Sequence, residues 1–220
     1  MTDLSQLLTM VIPLAAAAMV SPVAVIAVMA VLSSGEHRAR NGTLFVATYA
    51  TVFSLICLAF LAVGHLTTSG GAPSMTTVSV DIVLGLILIF VSVRSLLKKS
   101  PSKEVSLKTI GAATVVMEGA ALSVSNISSL IPALAASKDI GVAVVPPFDK
   151  AIAFIVTMAI ALCWVWGPLA IFLITPQHFD QYLNPVIRFL RKHGSQLMAA
   201  VFFLIGIYLL SRGIIDLSAF

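Results

Sequence analysis

Six long apolar stretches separated by short polar ones run the length of the chain: about Leu4–Leu32, Gly42–Gly64, Met75–Leu97, Ile110–Ala135, Ala151–Thr175 and Ser195–Ile215. Each matches or exceeds the roughly 20 residues that an α-helix needs to cross the hydrocarbon core of a bilayer. The first carries no charge from Leu4 to Gly35 and has Ser21-Pro22 in its middle. A proline there removes a backbone donor and clashes with the carbonyl four residues earlier, so the helix is expected to break at mid-membrane depth. Lipid tolerates broken backbone only where protein or a water-filled cavity covers it. The first stretch therefore reads as part of a site as well as an anchor.

The fourth stretch is the second candidate for a break. Ser123, Ser125, Asn126, Ser128, Ser129 and Pro132 crowd into ten residues after Glu118. Such residues either line a polar path or hydrogen-bond neighbouring helices together. Glu118, the acid well inside an apolar stretch, reads as a proton relay or cation contact, or as a side chain snorkelling to the headgroups. Asp81 and Asp149, near the ends of their stretches, are expected at interfaces. Trp164, Trp166, Gly167 and Pro168 suggest core packing with a bend at Gly-Pro. Cys57 and Cys163 fit small apolar fillers, a membrane dithiol relay being the alternative. Between the last two stretches, Phe179, Tyr182, Leu183, Val186, Ile187 and Leu190 recur at helical spacing, with Arg188, Arg191 and Lys192 on the other side. That pattern predicts an amphipathic helix on the cytoplasmic surface, kinked at Pro185.

Composition narrows the class. Of 220 residues, 59% are hydrophobic and 10% charged, against about 25% charged in soluble domains. The reading is an all-α, multi-pass integral membrane protein with a single transmembrane domain, 1–220. The net charge of +4 does not point to nucleic acid, because its bases segregate. Arg38, Arg40, Arg94, Lys98, Lys99, Lys103, Lys108, Arg188, Arg191 and Lys192 fall on one side; Lys138, Lys150 and Arg212 fall on the other. The positive-inside rule puts the first group in the cytoplasm and both termini outside the inner (plasma) membrane. Met1-Thr2-Asp3 lacks the basic start of a cleaved signal peptide. No phosphate loop, metal spacing or nucleophile set is present, so no enzyme, cofactor or metal site is expected.

The two halves also correspond. Ser21-Pro22 aligns with Ser125-Asn126, and Phe90 to Arg94 with Tyr208 to Arg212. Three spans in each half give opposite directions. The expected architecture is six transmembrane helices as two inverted three-helix repeats, about 4–97 and 110–215, joined by a basic cytoplasmic linker, 98–109. Its first and fourth helices are expected to be broken, a transporter arrangement with the site at the repeat interface.

The run from Pro13 through Ser21-Pro22 to Ser34 resembles the first span of the lysine-exporter (LysE) superfamily, and Arg38-Ala-Arg40-Asn41-Gly42 resembles its basic start to span two. Within it, the chain is most similar to the GAP/Sap group, named for addressing glycopeptidolipid and sulfolipid to the cell surface. Members carry a small-residue run ending in Asn-Pro in the fourth span. Here Ala120 to Asn126 stands in that place, with Ile127 instead of the proline. The resemblance implies export of an amphiphile, such as a cell-envelope (glyco)lipid, from the cytoplasmic to the outer side. Ser21, Pro22, Ser123, Ser125, Asn126, Ser129 and Glu118 are the candidate substrate path; Arg38, Arg40, Arg188 and Arg191 are the candidate headgroup ligands. Expected partners are membrane lipids, lipid-synthesis or export proteins, and a second copy of the chain. A small-solute exporter and a non-transporting accessory protein are the alternatives.

Overall fold

A computed structural model describes residues 3–33, 37–66, 75–97, 111–177 and 179–218. Among these, all regular structure is helical: α1 Leu4–Met19, α2 Pro22–Ser33, α3 Arg38–Leu66, α4 Met75–Leu97, α5 Ala112–Ser125, α6 Ile127–Val142, α7 Pro147–Ala161, α8 Cys163–Ile174 and α9 Phe179–Ser218. The basic linker lies outside the described residues. Two helices, α3 and α9, are long and apolar enough to cross a membrane alone; α1–α2, α5–α6 and α7–α8 each qualify as a bent pair, making up to five spans. Large apolar side chains such as Met117, Phe90 and Leu204 are exposed on the outer surface. That surface suits lipid and not water.

Each break has a local cause. The α1–α2 pair bends by 54°. Ser21 acts as the N-cap of α2, its hydroxyl accepting from Ala24 N at 3.4 Å, and Pro22 is the first helical residue, where its missing N–H costs nothing. The α5–α6 pair bends by 65° at Asn126, whose backbone N–H closes α5 on Leu122 O at 2.9 Å and whose carbonyl starts α6. The expected breaks in the first and fourth spans are therefore present. The fifth span breaks too, by 66°, but at Leu162 and not at Gly167-Pro168; Pro168 sits inside α8. The amphipathic segment and the last apolar stretch are one 40-residue helix, α9, about 60 Å long at 1.5 Å per residue.

Packing brings the two halves together. α4 and α9 run antiparallel, with Gly85 and Gly206 facing each other so closely that a Cβ on either would lie 3.0–3.1 Å from the other's carbonyl oxygen. Ser92 also donates to Ala199 O at 2.7 Å across this seam. α3 and α6 run parallel and meet at Gly64 and Gly141, where a Cβ on Gly141 would lie 3.1 Å from His65 N. Small residues at both crossings allow backbones to touch, the usual means of helix association where lipid removes the hydrophobic drive. One buried cluster fills the space around α2, α3 and α8, and a second joins α1, α4, α6 and α9.

Candidate functional site

The two predicted breaks meet. Asn126 is 5% exposed and stands between Ser21 at the other break and Tyr49 on α3. Its Nδ2 lies within donor reach of Tyr49 Oη at 2.8 Å, Ser21 Oγ at 2.9 Å and Ser129 Oγ at 3.2 Å. Its Oδ1 accepts from Ser128 Oγ at 2.7 Å and Ser21 Oγ at 3.2 Å. An amide carries two N–H bonds, so three acceptors compete for them and the hub can trade partners without losing satisfaction. The Asn126 side chain caps no backbone group of its own helix, which leaves it free to reach across the break. Tyr49 is held toward it by a buried stack on one face of α3, with ring centroids 6.3 Å from Phe45 and 5.8 Å from Phe53.

A second polar centre lies at the far end of α6. Lys138 forms an ion pair with Asp81 of α4 and lies 3.4 Å from Asp139 Oδ1; Arg212 of α9 donates to Asp139 Oδ2 at 2.6 Å. The side chains of Asp81, Lys138 and Asp139 are 3–5% exposed, and that of Arg212 is 29% exposed. Unpaired charges at such depth would be costly, but two acids and two bases cancel.

Over residues 11–215 the chain matches the family described as Sap, sulfolipid-1-addressing protein. The chain belongs to that family. No curated protein and no solved structure matches it.

In this Sap chain the remaining sequence candidates scatter. Pro22 is buried beside the hub and packs near Gly194 of α9, where a Cβ would lie 2.9 Å from the ring. Ser123 is buried but donates to Ala120 O of its own helix at 2.7 Å. Ser125 is exposed, directed to Leu122 O at 3.4 Å and away from the hub. Glu118 is half-buried and makes no ion pair with a described residue. Arg38, Arg40 and Arg188 are exposed; the Arg191 side chain lies outside those described. Arg188 and Lys192 line an open groove with Pro185, Phe189 and His193.

Sequence reasoning missed Tyr49 and the whole charged centre. It set Asp81 at an interface and counted Lys138 and Arg212 with the bases on the outer side; the structure joins the three with Asp139 in one ion-pair network. The available signal was the apolar run Ile140 to Val145 directly after Lys138-Asp139, which places that pair within a hydrophobic segment and not at its end.

Proposed function

We propose that this Sap-family protein moves an anionic amphiphile, a sulfolipid or related cell-envelope (glyco)lipid, from the cytoplasmic to the outer face of the inner membrane. The observation that carries this reading is the Ser21–Asn126 contact: two helix breaks 105 residues apart in sequence share one buried hydrogen-bonded hub. Breaks leave backbone groups without helical partners and are tolerated in lipid only where protein or a water-filled cavity covers them, and paired breaks meeting in the interior are how transporters build their sites. The hub's exchangeable partners suit a sliding polar headgroup, while the acyl chains stay in lipid against the exposed apolar faces.

The six-span layout follows if α4, with 23 residues, is the sixth span. An inverted repeat is supported by matching roles: α1–α2 with α5–α6, α3 with α7–α8, and α4 with its antiparallel partner α9. The LysE superfamily pattern of resemblance agrees. Lys138 is buried and Arg212 half-buried, both paired with acids of the protein, so the loop bases fall even more heavily on one side, supporting outward termini. On that orientation, Arg38, Arg40, Arg188 and Lys192 collect the headgroup from the cytoplasmic leaflet. A small charged solute is the second reading. It draws on the buried tetrad, but the members of that tetrad already neutralise one another.

The test is transbilayer transfer of a fluorescent sulfated glycolipid in proteoliposomes, read by quenching of the exposed leaflet. Transfer above that of protein-free vesicles, lost in a Pro22→Ala, Asn126→Ala double variant that purifies normally, is the expected result. Transfer no faster than in protein-free vesicles, or unaffected in the variant, rejects the reading.

A further inference from the structure

We infer that the groove along the N-terminal part of α9 binds the sulfate or phosphate monoester group of an anionic lipid, and that His193 selects a monoester over a diester. The site stands on its own geometry. Only its use as a waiting station for exported lipid rests on the reading proposed above.

The groove is lined by Pro185, Arg188, Phe189, Lys192 and His193. These recur at i, i+3, i+4, i+7 and i+8, which is one face of a helix. The lining holds two bases and no acid, around a volume of about 320 Å³. That is room for about ten waters at ~30 Å³ each, so an oxyanion enters with part of the group that carries it. The third polar member is His193. Its Nδ1 is buried and has no hydrogen-bond partner. Its ring rests beside Phe189, with centroids 5.1 Å apart and a tilt of 36°. An orphaned ring nitrogen beside two cations calls for a partner that the chain does not supply. The imidazole torsion is roughly two-fold, so the ring can turn Nδ1 toward the groove without leaving Phe189. With its proton on Nδ1, the neutral ring donates to an arriving oxygen.

The donors define the ligand. Arg188 presents a fork of N–H groups and Lys192 a compact ammonium, and both suit phosphate-like oxyanions. A monoester offers three terminal oxygens, one for each donor side chain. A diester offers two, which Arg188 and Lys192 satisfy alone. His193 therefore adds affinity for the monoester only.

Depth and apolar surface point to a lipid and not a free anion. The apolar span of α9 opens at Lys192 and runs to Ile215. At 1.5 Å per residue, Arg188 lies about 6 Å beyond Lys192 and Pro185 about 10 Å. The headgroup layer of a bilayer is about 5–8 Å deep on each side, so the donors lie at its level. Phe189, 52% exposed, offers apolar surface to the part of a lipid next to its ester. A free anion would leave that ring in water.

The groove lies beside the path and not in it. Gly194 packs against the Pro22 ring, where a Cβ would lie 2.9 Å away. At about 100° per residue, Gly194 falls opposite the centre of the lining set, so the width of α9, about 10 Å, separates the groove from the first helix break. A lipid held there waits outside the hub.

The test is binding of a fluorescent sulfated glycolipid to the full chain in detergent, read by anisotropy, with phosphatidylglycerol as competitor. Both lipids carry one negative charge, so charge alone does not separate them. The sulfated lipid should bind about tenfold tighter than phosphatidylglycerol, the worth of one hydrogen bond to a charged group. His193→Phe should weaken the sulfated lipid alone and bring the two together, whereas His193→Asn, which keeps a donor near the Nδ1 position, should preserve the difference. Arg188→Gln with Lys192→Gln should weaken both lipids. Equal affinities in the parent, or an unchanged ratio in His193→Phe, overturn the selection. Unchanged binding in the Arg188, Lys192 double variant overturns the site, and inorganic sulfate that competes as well as the lipid overturns the lipid as its source. Binding with this pattern but no transbilayer transfer in any vesicle would reject the export reading and leave the groove standing. Transfer by a parent that binds nothing in the groove would reject the groove alone.

Discussion

Gly141→Ala is the sharpest test of how the α3–α6 crossing holds the charged centre. A Cβ at Gly141 would meet backbone on three counts, with Leu61 O, His65 N at 3.1 Å and Gly64 C at 3.2 Å. The Leu61 contact is well inside the 3.4 Å at which ordinary van der Waals contact begins, so the two helices must part locally by about 1 Å. Backbone on the receiving side cannot swing away as a side-chain tip can. Overpacking of this kind costs about 1–3 kcal/mol, and the upper half of that range applies here. Alanine's better helix propensity returns at most about 1 kcal/mol, and less at the second-last residue of α6. The net loss is about 1–3 kcal/mol, or roughly 2–12 °C in Tm at about 2–4 °C per kcal/mol for a chain of this length. Gly167→Ala is the matched control. It makes the same chemical change inside α8, where nothing but its chain neighbours lies within 4 Å of the new Cβ; the gain in helix propensity is offset by the crowding of a Cβ against the ring of Pro168, so Tm should stay within about 2–4 °C of the parent. Thermal unfolding in detergent, followed by intrinsic tryptophan fluorescence, reads both. If Gly141→Ala is as stable as Gly167→Ala, the helices are not in backbone contact and the reasoning fails.

Lys138→Met leaves the buried Asp81 carboxylate without its partner and should cost about 3–5 kcal/mol, whereas Lys138→Met with Asp81→Leu should recover most of it; a double-mutant cycle of detergent unfolding checks this. Ser129→Ala removes one of the three acceptors that compete for the Asn126 amide, which stays satisfied by the other two, so stability should fall by less than about 1 kcal/mol while lipid transfer slows. Ser125→Ala, on the exposed side of the same break, should stay within about 0.5 kcal/mol of the parent and transfer lipid normally.

The membrane class and the first two helix breaks were legible because they depend on short-range chemistry. A serine before a proline suits an N-cap followed by a first helical residue, and Asn126 amid serines is a poor helix interior. The meeting of Ser21 with Asn126 was foreshadowed by the correspondence of the two halves. Tyr49 was not, since nothing in Thr48-Tyr49-Ala50 distinguishes a tyrosine facing the hub from one facing lipid. Leu162 was missed because its flanks, Ala161 and Cys163, carry no breaking signal; the nearby Gly167-Pro168 drew attention to the wrong place. The tetrad was misread for a different reason. Each charge was weighed against its own neighbours in sequence, whereas what makes it affordable is a partner from another helix.

That dependence sets an order for assembly. Asp81 is made 57 residues before Lys138, and Asp139 is made 73 residues before Arg212. At a synthesis rate of about 5–20 residues per second, Asp139 waits roughly 4–15 s for its guanidinium. During that interval Asp81, Lys138 and Asp139 together carry one negative charge too many to be sealed in lipid. The growing chain therefore has to keep α4 and α6 apart, or leave their ends in contact with water or the insertion machinery, until α9 emerges. A ribosome that stops short of Arg212 delivers a chain whose earlier helices are complete and whose interior is still charged. The last helix is thus the one that brings the interior to neutrality.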